Sequence, residues 1–448
     1  MMPYRSSKQN RMRIKFFSIL LGVHISSVIT AQTLIKEENA ELLHRAEKAL
    51  TSVIVHDIFS PPVASRIYLY SSMAAYESIV PFQEKYKSLS QAINGFPDIR
   101  TGNNKLKINK SVTCVYAFMK TAQRLVFSEK VLEDSLNAIL KSFKKINAVV
   151  YKTSIALGQT VSDSIISWAN RDNYKETRKL RRYNYIKAEG KWLPTPPGYM
   201  AAVEPYWNKI RAVILDSSQE FKPDRPPVFA SNDTSGFYKQ AYEVYKTGNT
   251  LSASQRDIAL FWDCNPFFLN TQGHLNFATK KLSPGGHWIS IAAIAAKKMN
   301  ADLTTSAAAY VITSIALFDG FISCWDEKYR SNLIRPETYI NSYIDEKWRP
   351  LLQTPPFPEY TSGHSVISTA AATVLTNFFG DNFSFIDNTE TYYGLPVRSF
   401  SSFMQAADEA AVSRLYGGIH YKAAIENGQK QGRLVGEKTI RKIHLTDE

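Results

Sequence analysis

The chain has 448 residues, 44% hydrophobic and 21% charged, so it can bury an ample core without disulfide staples. Its formal charge of +14 falls to +9 once the five cations of the first 31 residues, Arg5, Lys8, Arg11, Arg13 and Lys15, are set aside. No nucleic-acid motif is present and the densest basic run is only Lys179-Leu180-Arg181-Arg182. Nucleic acid is therefore excluded as a partner, and a generally basic surface is the plain explanation of the charge.

Residues 1–31 read as a secretory signal peptide. The five cations carry no acid among them, the apolar core 16–23 is short and is broken by His24 and Ser26-Ser27, and Ala31 stands before Gln32 as a small residue at the cut. The mature protein is then expected in the periplasm or outside the cell. No later stretch holds the ~20 uninterrupted apolar residues of a membrane helix. The apolar windows 289–296 and 310–318 read instead as buried helices, so no transmembrane span is expected after signal removal. Cys114, Cys264 and Cys324 have no metal-type spacing and are expected as buried free thiols; spacing does not choose a pair for a bridge.

Helical spacing marks 36–58, where Leu42, Leu43, Ala46, Leu50, Val53 and Ile54 share a face, and then 63–80, 110–126 and 128–170, the last broken near Lys144-Lys145. Residues 186–230 are punctuated by Pro194, Pro196-Pro197-Gly198 and Pro226-Pro227. Trp192, Tyr199, Tyr206 and Trp207 give this segment too much aromatic surface for a free linker, so it is expected to wrap the helices. Helices resume at 253–263, 285–299, 303–325, 364–379, 401–416 and 422–442, with a second loop over 380–400. The organisation is an all-α chain with an N-terminal helical part, 32–250, and a C-terminal bundle, 251–448.

Three basic clusters lie between Trp325 and Tyr421: Lys328 with Arg335-Pro336, Thr361-Ser362-Gly363-His364, and Ser413-Arg414 followed by Gly417-Gly418-Ile419-His420. Lys328 offers a compact ammonium and the arginines planar forks suited to a tetrahedral oxyanion. Ser362-Gly363 precedes a long apolar run, so it opens a helix whose free N–H groups and missing side chain admit an anion. Lys328 and Arg335 are two helical turns apart and share a face if their helix persists to Pro336. Each cluster alone reads as a solvated helix end, an N-cap or a glycine turn. Together they read as an oxyanion cage with a histidine on either side, suited to phosphate or vanadate.

The three clusters in this order resemble the signature shared by type-2 phosphatidic acid phosphatases and vanadium-dependent haloperoxidases. The surrounding residues, Asp319-Gly320, Trp325-Asp326-Glu327-Lys328 and Pro355-Pro356-Phe357-Pro358-Glu359-Tyr360, are similar to the haloperoxidase branch, in particular its bacterial iodoperoxidase-type members. The resemblance implies two packed four-helix-type bundles. It makes Lys328, Arg335, Ser362, Gly363 and Arg414 the holders of vanadate or phosphate. His364 becomes the acid–base histidine, and His420 the vanadium ligand or the phosphohistidine nucleophile. Trp325 and Phe357, and less firmly Asp326, are placed beside the halide approach. Asn265 stands where some members carry the acid that pairs with the acid–base histidine. One departure concerns the phosphatase pattern, where an aspartate lies four positions after the second histidine: here that residue is Ala424, with Glu426 as the nearby substitute. His287 and His56 are left as structural histidines.

The leading expectation is an exported vanadium-dependent haloperoxidase that oxidises halide with hydrogen peroxide, iodide before bromide and chloride last. The alternative is a soluble acid phosphatase acting on a phosphomonoester through a phosphohistidine. A non-catalytic oxyanion-binding protein is a third reading, against which the pair of histidines speaks, because simple capture needs neither.

Overall fold

Side-chain caps mark where most of the helices begin. Asn39, Ser60, Asn109, Asn147, Ser235, Ser252, Ser283, Asp302, Ser362 and Ser402 each accept from a first-turn N–H, satisfying donors that have no partner inside the helix. The computed structural model describes residues 38–93, 95–99, 106–143, 145–272, 275–278 and 280–446. The expected signal peptide, 1–31, lies outside them. Lys36–Glu448 form one compact unit.

Among the described residues, α1 (Ala40–His56), α2 (Pro61–Glu77), α3 (Lys110–Gln123), α4 (Glu129–Leu140) and α5 (Ala148–Ala169) pack on one another. The expected break near Lys144-Lys145 falls between the last two. A single turn, α6 (Tyr174–Thr177), leads into the loop over 186–230. The second group contains α7 (Gly236–Asn249), α8 (Ala253–Phe261), α9 (Pro284–Lys298), α10 (Leu303–Ser331), α11 (Pro336–Tyr343), α12 (Gly363–Phe379), α13 (Phe403–Tyr416) and α14 (Lys422–Lys442). Two hairpins, β1 (Leu269–Gln272) with β2 (Leu275–Ala278) and β3 (Phe385–Asp387) with β4 (Arg398–Phe400), decorate this group.

The spine is α10, which packs on α2 of the first group and on α9, α12 and α14 of the second. It runs 29 residues rather than ending near 325. It is long and apolar enough to cross a membrane, and its apolar window is wholly buried inside the protein. Against it lies α12, and α14 closes on α12 through Gly428, Gly432 and Gly436. A Cβ on Gly432 would stand 2.2 Å from the Val366 carbonyl oxygen, and one on Gly428 would stand 2.9 Å from that of Ser362. Only hydrogen fits there, so the glycine row sets how closely α14 approaches the first turn of α12.

Two helices, α7 and α11, and both hairpins fall where the sequence reading left unassigned chain or loop. The helix pair is built on aromatic contacts: Phe237, Tyr339, Trp348, Tyr360 and Tyr421 form one buried cluster with Ala241, Val244, Leu333, Ile334, Ile340 and Ala424. The loop over 186–230 is packed down, with Trp192 and Trp207 fully buried. Asp319 of α10 holds it by accepting from the backbone N–H groups of Val213, Ile214 and Leu215 at 2.7–3.2 Å. All three cysteines are free and buried.

Candidate active site

The condition on which Lys328 and Arg335 would share a face, a helix persisting to Pro336, is not met. Asn332 takes the left-handed conformation (φ 49°, ψ 43°) and ends α10, and Arg335 becomes the N-cap of α11. The intervening strand-like segment is clamped on both sides: Ile334 N–H donates to the Gly190 carbonyl, and the Leu333 carbonyl accepts from Glu359 N–H. Lys328 and Arg335 therefore reach the same place from two elements, and the shared-face argument gives way to a clamped corner.

Lys328, Arg335 and Arg414 are all buried, and among the described residues none forms a salt bridge. Lys328 Nζ donates to the carbonyls of Pro358 (3.1 Å), Glu359 (3.0 Å) and Thr361. Arg335 donates from Nε to Phe357 O (2.9 Å) and from Nη1 to Ile419 O (2.9 Å), while its Nη2 has no partner. Arg414 is held by Ser413 Oγ and the Trp262 carbonyl. Burial lowers the Lys328 ammonium to about 8, and Arg335 acts in the same direction. Three desolvated cations in one place are costly unless an anion joins them.

Ser362 caps α12, its Oγ accepting from Ser365 N–H (3.3 Å) and Ser365 Oγ (2.9 Å), which leaves its own hydroxyl proton to donate elsewhere. A Cβ on Gly363 would sit 3.9 Å from Lys328 Cε and 3.7 Å from the Trp325 ring, in the cradle itself. His364 follows in the first turn with a buried Nε2 that has no partner. Burial and the neighbouring Arg414 and His287 push its pKa well below the usual histidine value, with the Trp262 carbonyl opposing them.

His420 meets Arg335 on one side and Glu359 on the other. Arg335 Nη1 lies 3.2 Å from His420 Nε2, and Glu359 Oε1 lies 2.8 Å from His420 Nδ1. A guanidinium only donates, so Nε2 accepts and the ring proton sits on Nδ1, donated to Glu359. The nitrogen with the lone pair thus faces the cations. Burial, with Arg335, Lys328 and Arg414 nearby, keeps the ring well below its ordinary pKa. The sequence offers Glu426, after this histidine, as the carboxylate that would orient it. That residue is exposed and faces Lys422. Glu359 does the orienting from the other side of the cage, also accepting from Tyr421 N–H at 2.9 Å. Burial raises Glu359 to about 7, against the pull of Arg335 and Lys328. Its position three residues before Ser362 was the available signal.

A cavity with a free volume of about 40 Å³ opens beside the cage, lined by Gly363, His364, Arg414, His420, Trp325 and Phe357. That volume holds a few water-sized molecules. The Trp325 and Phe357 rings pack at 5.0 Å and wall one side. Asn265 lines the same cavity with an unpartnered Nδ2. Asp326 is engaged elsewhere: it accepts from Asn208 Nδ2 (2.9 Å) and Ser218 Oγ (3.3 Å) and pairs with Arg330 (3.1 Å), tying α10 to the 186–230 loop. His56 is exposed beside Asp57, and His287 lies in a separate buried cluster.

A crystal structure described as the first bacterial vanadium-dependent iodoperoxidase is 48% identical to this chain. The match covers 92% of this chain and 99% of that one, with a TM-score of 0.88. The chain belongs to the vanadium-dependent haloperoxidase family. Residues 308–446 match the model of the VCPO second helical-bundle domain. Holo and apo structures of a bacterial vanadium-dependent chloroperoxidase, 15% and 14% identical, share the fold. Their TM-scores are 0.65 and 0.63, each covers 86% of this chain, and 93% and 94% of their own chains are matched. No curated protein matches. Membership carries the all-helical haloperoxidase fold, the enzyme class and vanadate as cofactor. The cage fits that anion: three buried cations without a carboxylate partner, the unpartnered Arg335 Nη2, the Gly363 cradle and a lone-pair nitrogen on His420.

Proposed function

We propose that the protein is an exported haloperoxidase that uses vanadate in this cage to oxidise iodide with hydrogen peroxide, with bromide as a poorer substrate. The observation that carries the reading is the set of three buried cations near His420, with Arg335 against its Nε2, in a chain 48% identical to an iodoperoxidase. Lys328, Arg335 and Arg414 would hold the anion's oxygens, with the Ser362 hydroxyl and the Gly363 N–H, and His420 Nε2 would ligate vanadium. Bound vanadate supplies a Lewis-acidic centre that activates peroxide without changing its own oxidation state.

The remaining work falls to the chain. Glu359 fixes the tautomer that leaves His420 Nε2 free to ligate. His364, kept neutral by burial, is a base whose open Nε2 can take a proton from entering peroxide and return it to the departing oxygen. Trp325 and Phe357 give the approaching halide an apolar wall that strips part of its hydration. The narrow cavity suits peroxide and halide better than a bulky phosphomonoester. Export rests on the character of residues 1–31, and the burial of the apolar window of α10 supports a reading in which that helix is a core helix.

The test is peroxide-dependent oxidation of iodide, bromide and chloride by the mature protein, with and without orthovanadate. Vanadate-dependent triiodide formation that exceeds bromide oxidation supports the reading. The pairing of Glu359 with His420 also suits a nucleophilic histidine, so phosphomonoester hydrolysis inhibited by vanadate, without halide oxidation, would move the phosphatase ahead.

A further inference from the structure

Outside the oxyanion cage lies a second cluster of ligand-type side chains. Cys264 follows the end of α8, His287 sits in the first turn of α9, and Glu390 lies between the strands of the β3–β4 hairpin. All three are buried. Cys264 Sγ is 3.4 Å from His287 Nδ1 and 3.9 Å from Glu390 Oε1, and His287 Nδ1 is 3.4 Å from Glu390 Oε1. Sulfur, nitrogen and oxygen ligands around a tetrahedral ion, with bonds of ~2.0–2.3 Å, stand roughly 3.3–3.8 Å apart. Two edges of the triangle, both 3.4 Å, lie in that range, and the third, 3.9 Å, lies just beyond it.

The surroundings complete the pattern. His287 Nε2 lies 2.8 Å from Asp387 Oδ2, so that carboxylate holds a proton on Nε2, and Nδ1, whose proton an incoming metal ion would displace, faces the triangle. Asp387 is itself fixed by Thr389, whose N–H (3.0 Å) and hydroxyl (2.7 Å) donate to Oδ1. A carboxylate on the far nitrogen of a ligating histidine is the usual way that a metal-binding tautomer is set. The Trp262 ring stacks on His287 at 4.5 Å and 19°, closing one side. Burial favours the protonated thiol and carboxyl here, and a dication that displaced those protons would neutralise the charges left behind.

We propose that Cys264, His287 and Glu390 form a second metal site, for a divalent ion of the zinc class, separate from the vanadate cage. The mixed sulfur, nitrogen and oxygen set at tetrahedral spacing selects zinc over magnesium or calcium, which take all-oxygen shells. A fourth position is left for water. The ion joins the β3–β4 segment to α9 and to the chain after α8. That chain lines the active-site cavity through Cys264 and Asn265, and its Trp262 carbonyl holds Arg414. The site is thus a clip behind one wall of the cage.

The test uses the full mature protein, freed of metal by a chelator and titrated with Co²⁺, then with Zn²⁺. One equivalent of Co²⁺ per chain is expected, with a sulfur-to-cobalt charge-transfer band in the near ultraviolet and the visible bands of tetrahedral cobalt. Zn²⁺ should displace it. Cys264→Ser should abolish the charge-transfer band, Glu390→Gln should weaken Co²⁺ binding at least tenfold, and His420→Ala should change neither. A folded wild-type protein that takes up Co²⁺ without that band, or takes up none, overturns the proposal, as does a band that survives Cys264→Ser. The wild-type measurement decides even if a variant fails to fold, because circular dichroism reports folding independently.

Discussion

Glu359 controls His420 through one hydrogen bond, and its loss has a specific signature. Glu359→Gln keeps the side chain's shape but removes the charge that favours the proton on Nδ1, and its amide can turn a donor toward the ring. Partners of this kind typically contribute 10–100-fold to metal affinity. We expect vanadate, titrated by the appearance of activity, to bind about 10–100-fold more weakly in Glu359→Gln, with turnover recovering at saturating vanadate. Unchanged affinity would mean that the Arg335 contact alone sets the tautomer.

Lys328 makes a second prediction at this scale, through pH. Its folded pKa is lowered to about 8, so it is charged below that value and loses its charge as pH rises through it. The anion needs the ammonium, so affinity should fall above about pH 8, approaching a factor of about 10 per unit for a single proton. Vanadate's own ionisation cancels in the ratio of wild type to Lys328→Met. That ratio of affinities should narrow steadily from pH 8 to 10 (roughly one proton's worth). A flat ratio would contradict the burial argument.

Among the elements, the approach of α14 to α12 decides whether the cradle at Ser362-Gly363-His364 keeps its shape. A Cβ at position 432 would meet backbone, the Val366 carbonyl at 2.2 Å, and backbone does not yield as a flexible side chain does. Gly432→Ala should therefore cost about 3 kcal/mol, the upper end for overpacking. Denaturant unfolding measures this, and activity should fall with it because α12 carries His364. Gly95→Ala, where nothing lies within 4 Å, serves as a control for packing, though its positive φ (69°) adds a small backbone penalty. Equal losses in the two variants would remove close helix approach as the cause. The row of glycines four apart, unread in the sequence, is the signal that marks this close helix contact.

On the scale of the whole molecule, the regular helices were legible because apolar residues at helical spacing bury a stripe, and the caps mark their starts. The start of α12 was legible because Ser362, a capping residue, stands before Gly363 and a long apolar run. The unread side-chain contacts share one cause, distance along the chain. Glu359 and His420 meet across 61 positions, and Cys264, His287 and Glu390 come from three separate segments. No spacing rule links such residues. The α7–α11 pair was missed because it is held by Phe237, Tyr339 and Trp348 rather than by an aliphatic stripe. The left-handed Asn332, which puts Lys328 and Arg335 on separate elements, went unread, although asparagine is among the residues that tolerate that conformation.

Orthovanadate titration of the metal-free mature protein, with bound vanadium and triiodide formation followed on the same samples, tests the account most directly. The cage predicts one vanadate per chain, a rate proportional to occupancy, and loss of that rate in His420→Ala. Iodide oxidation that does not depend on vanadate, or phosphomonoester hydrolysis that falls as vanadate occupancy rises, would contradict it.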